Sequence, residues 1–162
     1  MSNKKLLKQG SLEPFYPSIS LVGSTKSGEN FIPSPYFGSS FIEYKTGMIS
    51  VWTVGAIKFE EKGKNKKAEV NVSVYQGYPD VIDLVSGKIC TSGYIEVRKR
   101  GKRMGVSIDA GPGEEIYIPW PNGETAVMVI LDADEVMKGE VQNVTFFLKF
   151  RRKRNRFLNI LG

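Results

Sequence analysis

Two short stretches limit this chain more than anything else in it. Val70, Val72 and Val74 alternate with Glu69, Asn71 and Ser73. Far along the chain, Val144, Phe146, Leu148 and Phe150 alternate with Thr145, Phe147 and Lys149. A period of two places one set of side chains on a dry face and the other on a wet one, which is the pattern of a half-buried strand and not of a helix. Other segments fit the same reading. Ile49 to Phe59 is rich in β-branched and aromatic residues, Tyr94 to Arg98 and Met104 to Asp109 read as strands, and Ala126 to Leu131 is a continuous apolar run suited to a buried strand. Glu60 to Lys67 is a charged connection of hairpin type. Gly111-Pro112-Gly113 and Pro121-Asn122-Gly123 are turns. The expected fold is mainly β with one or two short helices (α+β). It is a compact antiparallel sheet, sandwich or partly open barrel, and strand order is not legible at this stage.

Two segments read as helical. Val81, Leu84 and Val85 share helical spacing, with Pro79 fitting a first turn and Gly87 a stop. Asp132 followed by Glu135 resembles a capping box before a single turn that ends at Gly139.

Three regions are expected. Residues 1–46 form a basic arm containing Pro, Gly and Ser, irregular and flexible apart from a short edge strand over Ser18 to Val22. Residues 47–150 form a β-rich core domain, and 151–162 a basic and apolar tail. The length of 162 residues suits one core. No run reaches the roughly 18–20 apolar residues of a membrane span. The lysine-rich start has no apolar segment behind it, so no secretion signal is read. A single cysteine, Cys90, fits a reducing compartment. The expected location is intracellular. Asn143-Val144-Thr145 matches a glycosylation acceptor only by chance in this setting.

The chain has no histidine. This excludes an imidazole general base, a Ser-His-Asp triad, a Cys-His dyad and histidine metal ligands, and one thiol cannot build a structural zinc site. No catalytic residue, metal site or cofactor is expected, and no small-molecule substrate. The acids Asp109, Glu114 and Glu115 read as turn residues. Gly23 to Gly28 lacks the Gly-Lys-Ser/Thr ending of a phosphate loop. Asp132 and Asp134 begin a calcium-loop spacing that Val136 and Met137 break.

The net charge of +6 favours polyanionic partners, and its placement sharpens the point. Lys4, Lys5 and Lys8 open the chain. Lys62, Lys64, Lys66 and Lys67 fill one expected hairpin connection, and Arg98, Lys99, Arg100, Lys102 and Arg103 fill another. Lys149, Arg151, Arg152, Lys153, Arg154 and Arg156 precede an apolar end of Phe157, Leu158, Ile160 and Leu161. Cations attract phosphates or acidic headgroups, and adjacent apolar side chains enter a lipid interface or a partner groove. If the loops project from one end of the sheet, they and the N-terminal lysines make one basic surface. Trp52, Tyr75, Tyr78, Tyr94 and Tyr117 are candidates for base stacking, although rings in such strands more often belong to the core. Pro33, Pro35 and Tyr36 form a candidate short linear motif, a Pro-Pro-x-Tyr ligand broken by Ser34.

The order of elements resembles the matrix proteins of rhabdoviruses. The matching features are a lysine-rich arm with a Pro/Tyr motif, a strand at Val70 to Tyr75, a short helix carrying Tyr78, Asp80, Val81, Leu84 and Val85, and a late alternating strand at Val144 to Phe150. The resemblance implies a structural assembly protein that self-associates and links a ribonucleoprotein to an acidic membrane. Its partners would be an acidic membrane surface, viral nucleoprotein or RNA, and itself, in host cytoplasm and virion. The alternative reading, from charge and aromatics, is a single-stranded nucleic-acid-binding β-barrel of the OB type.

Overall fold

The structure is a computed structural model and describes residues 4–14, 18–24, 32–33, 42–53, 69–85, 87–99 and 102–152. The described residues form two sheets. The first has five strands in the order β1 (Lys4–Leu12), β6 (Val70–Gly77), β11 (Asn143–Arg152), β10 (Gly123–Asp132) and β7 (Lys88–Val97). The second has six, in the order β3 (Ile32–Pro33), β4 (Ile42–Tyr44), β5 (Met48–Trp52), β2 (Ser18–Val22), β8 (Gly105–Asp109) and β9 (Glu115–Pro119). Every pairing is antiparallel except β6 with β11. The protein is mainly β, as its alternation predicts, and the sheets do not close into a barrel.

Alternation decides which side chains meet between the sheets. Val70, Val72 and Val74 of β6 and Val144, Phe146 and Leu148 of β11 are buried in one cluster. Ile19 and Leu21 of β2, Ile49 and Val51 of β5, and Ile108 of β8 join them from the other sheet. The layers are also tied by polar contacts. The Tyr44 hydroxyl lies 2.5 Å from Thr91 Oγ1. Gly93 makes room for the Tyr44 ring, because a Cβ there would lie 2.6 Å from Tyr44 Cε1. At the rim, Glu96 N donates to Thr46 O at 2.8 Å, and Arg98 N donates to Gly23 O at 2.9 Å.

The first 46 residues differ from expectation. Their described parts are not an appended arm: β1 pairs along its length with β6, and β2 lies between β5 and β8 inside its sheet. Leu12, Ile19 and Leu21 carry them into the core. The lysines that suggested a free arm sit on an edge strand, where Lys discourages unwanted pairing.

The helical segments form with different geometry. The first is a 3-10 turn, Val81–Leu84, and the second a short helix, α1 (Ala133–Lys138), which ends at Gly139 in the left-handed conformation (φ 73°). The capping box expected at Asp132 is absent. Asp132 pairs with Lys88, and Glu135 accepts instead from Gln142 N at 2.6 Å and Asn143 N at 2.9 Å, so it braces the start of β11.

Candidate interaction face

β6 runs parallel to β11, and two antiparallel steps through β10 make β7 parallel to β6 as well. The connection between β6 and β7 therefore has to return from one end of the sheet to the other, passing β11 and β10. The inner face is filled by the second sheet, so the connection, described at 78–85 and 87, crosses the outer face as a strap. Polar contacts hold it. Lys4 Nζ donates to both carboxylate oxygens of Asp83 at 2.8 Å, Asp80 N donates to Asp83 Oδ2 at 2.7 Å, and Ala133 N donates to Gly87 O at 2.8 Å. The hydrogen bond to Asp83 raises the Lys4 pKa, against an opposing effect of burial and helped by the Asp83 charge.

The strap explains an oddity of β11. Phe147 points away from the main core, between inward-facing Phe146 and Leu148, yet it is only 1 % exposed. It stacks on Tyr75 with ring centroids 5.1 Å apart, and Ile130 on β10 is buried on the same outer side. Tyr75, Phe147 and Ile130 thus share the outer side of the sheet, which the strap crosses.

The strap's own apolar side chains point the other way. Val81 is 87 % exposed and Ile82 72 %, and Tyr78, Leu84 and Val85 are exposed beside them. Helical spacing predicted a short helix here and left open which way its apolar side chains face. A 3-10 turn eclipses side chains at i and i+3, and this one is anchored through Asp80 and Asp83, so the aliphatic residues face solvent. Leu6 on β1 and Tyr94 on β7 are further exposed apolar side chains on this outer face.

Strand register answers where the basic residues lie. Lys4 pairs with Gly77, Leu148 with Gln76, Gly123 with Val97 and Glu124 with Arg152. Lys4, Lys5, Lys149, Arg151, Arg152 and the segment starting at Arg98 thus share one end of the five-stranded sheet, while Lys8 lies further along β1. Most of these cations have close partners. Arg98 bonds Glu96 at 2.9 Å, Arg103 bonds Glu115 at 2.5 Å and Arg152 bonds Glu124 at 3.1 Å. Lys4 sits 5.0 Å from the Tyr75 ring centre, Lys149 5.4 Å from Tyr78, Arg151 4.8 Å from Tyr94 and Arg103 4.2 Å from Tyr117. Lys5, Lys8, Lys99 and Lys102 have no acidic partner among the described residues. Trp120 is buried, its Nε1 donating to Thr125 Oγ1 at 2.7 Å.

Lys62, Lys64, Lys66, Lys67, Arg100, Lys153, Arg154, Arg156, Phe157, Leu158, Ile160, Leu161, Pro35 and Tyr36 lie outside the described residues, as does the side chain of Pro33. The described residues hold no group of acids and thiols arranged for a metal, and no helix among them is long and apolar enough to cross a membrane.

No protein-family model and no characterised protein sequence matches this chain. Solved structures do resemble it. One is ComJ of Bacillus subtilis, an inhibitor of the DNA-degrading activity of NucA, with a TM-score of 0.57 and 9 % identity over 93 % of this chain and 100 % of that one. Another is the product of crocagin biosynthetic gene J, with a TM-score of 0.52 and 12 % identity over 94 % of this chain and 100 % of that one. At these identities the likeness is one of fold.

Proposed function

We propose that this chain is a non-catalytic binding protein that docks on an acidic partner protein through the outer face of its five-stranded sheet. The observation behind the reading is the strap. Val81 and Ile82 stand almost wholly in water on an ordered segment anchored by ion pairs and backbone hydrogen bonds. A contiguous exposed apolar patch rimmed by charge is the usual surface of a docking site. Here the rim carries Lys149 and Arg151, which have no acidic partner among the described residues, with Lys4 and Arg152 held by Asp83 and Glu124, so the complementary surface is acidic. ComJ, which shares the fold, restrains another protein, and that is the same general kind of work. The charge points away from nucleic-acid mimicry: a chain of net charge +6 is a poor copy of DNA and a good complement to an acidic protein.

The test compares wild type with the double variant Val81→Asp, Ile82→Asp. Proteins retained by the wild type are identified, purified and titrated against both forms. A partner that the wild type binds directly, and the variant binds at least tenfold more weakly with an unchanged circular dichroism spectrum, supports the reading. Equal affinity of the two forms for every direct partner overturns it.

An acidic membrane is the second reading, in keeping with the matrix-like assembly role that the order of elements implies. It too rests on the strap, since exposed aliphatic side chains beside cations suit a lipid interface. Flotation with acidic and with neutral liposomes across a salt series separates the two. Binding to acidic liposomes alone, lost as salt rises, favours the membrane; no flotation leaves the protein partner. Single-strand binding has less geometry behind it, because Tyr75, Tyr78, Tyr94 and Tyr117 each already lie against a cation and Trp52 is half-buried at the end of β5.

A further inference from the structure

The two edges of the five-stranded sheet are built differently. β1 carries Lys4, Lys5 and Lys8, and its register slips between Leu6 and Lys8. Charge and a bulge are the usual devices that stop an edge from recruiting another strand. β7 has neither. Its register with β10 is unbroken from Lys88 to Val97, and no charged residue stands between Lys88 and Glu96.

The backbone of β7 shows which groups face outward. Glu96 N and Arg98 N bond away from β10, to Thr46 O and Gly23 O, and Lys88 N bonds Val85 O at 3.3 Å. In an antiparallel pair, alternate residues direct both N–H and C=O to the same side. Cys90, Ser92 and Tyr94 therefore aim theirs at the open edge, and among the described residues none of these groups has a backbone partner. Ser92 and Tyr94 are exposed.

We propose that β7 pairs with β7 of a second copy, antiparallel about a two-fold axis at Ser92, joining two five-stranded sheets into one. The edge is complementary to itself in that register. Ser92 faces Ser92 and Cys90 faces Tyr94, and no charged residue lies in the paired stretch, so no like charges meet. The outward groups of Cys90, Ser92 and Tyr94 supply about six backbone hydrogen bonds across the axis. The rim bonds of Glu96 and Arg98 limit pairing to this central stretch. A symmetric contact of this kind closes on itself as a dimer and does not propagate into a fibre.

The test is sedimentation equilibrium of the full chain from low micromolar to several hundred micromolar. The wild type is expected to approach twice the monomer mass. Ser92→Pro removes an N–H that β10 does not use, a change edge strands tolerate, and should leave a folded monomer. Ser92→Lys, which sets like charges face to face, should do the same and serves if the proline variant fails to fold. A Ser92→Cys variant in a Cys90→Ser background should cross-link to a reducible dimer, because Cα atoms about 5.5 Å apart in such a pair suit a disulfide. Ser11→Cys on β1, in the same background, should not. A wild type that stays monomeric throughout, or a dimer unchanged by both folded Ser92 variants, overturns the proposal.

Discussion

Tyr44 shows how much one side chain can fix between two sheets. Its ring fills the space that Gly93 leaves open, and its hydroxyl meets Thr91 in the core. Tyr44→Phe keeps the ring and strands the Thr91 hydroxyl, so it should cost about 1–2 kcal/mol in urea unfolding. Burial pushes the Tyr44 pKa up to about 12, with the Thr91 bond opposing. The unfolded phenol titrates near 10, so between about pH 10 and 12 the unfolded chain has lost a proton that the native one keeps. Stability supplied by Tyr44 is therefore complete below that window and falls through it. Tyr44→Phe should flatten this part of the pH–stability curve, as measured by denaturant midpoints at each pH. None of this was legible beforehand. Tyr44 ends a three-residue strand that follows a segment rich in Gly, Ser and Pro, and its partner lies 47 positions away.

Among the elements, the strands of strong alternation were legible and the strap was not. Val70 to Val74 and Val144 to Phe150 each have one apolar face, and burial leaves no other register open to them. Residues 78–87 carried a correct local signal, a turn of helix after Pro79. Helical spacing of Val81, Leu84 and Val85 describes a buried face and an exposed docking face equally well, and only the topology separates them. Phe147 had the opposite problem. Alternation assigned it to the wet face, and the strap made that face dry. Phe147→Ala should cost about 3–5 kcal/mol, the usual range for a buried aromatic side chain. The loss should be felt first in the strap. Amide exchange at residues 80–85 should quicken more than in β6 or β10, and hydrogen-exchange mass spectrometry would show it. Uniform quickening across the sheet would mean that Phe147 supports the sandwich as a whole.

At the scale of the molecule, sequence located the basic clusters but could not show that they converge. That required knowing that the start of β1, the end of β11 and the end of β7 lie at one end of the same sheet. Nor could it show how many cations are already engaged by Asp83, Glu96, Glu115 and Glu124, since each pairing depends on strand neighbours or a crossover. The position of β11 has a consequence for how the protein is made. It stands between β6 and β10, so it joins β1–β6 to β10–β7 and is the only described strand that touches both halves. On the ribosome those halves emerge first, each with an open edge beside a valine-rich face, and such edges invite aggregation. A nascent chain halted at Gln142 should stay protease-sensitive and engage chaperones, while release of Asn143–Arg152 should bring protection in one step. Every contact across β6 and β11 spans about half the chain, so this closing step should be slow for a domain of this size. Until its final described strand is delivered, the cell holds two halves of one sheet with nothing between them.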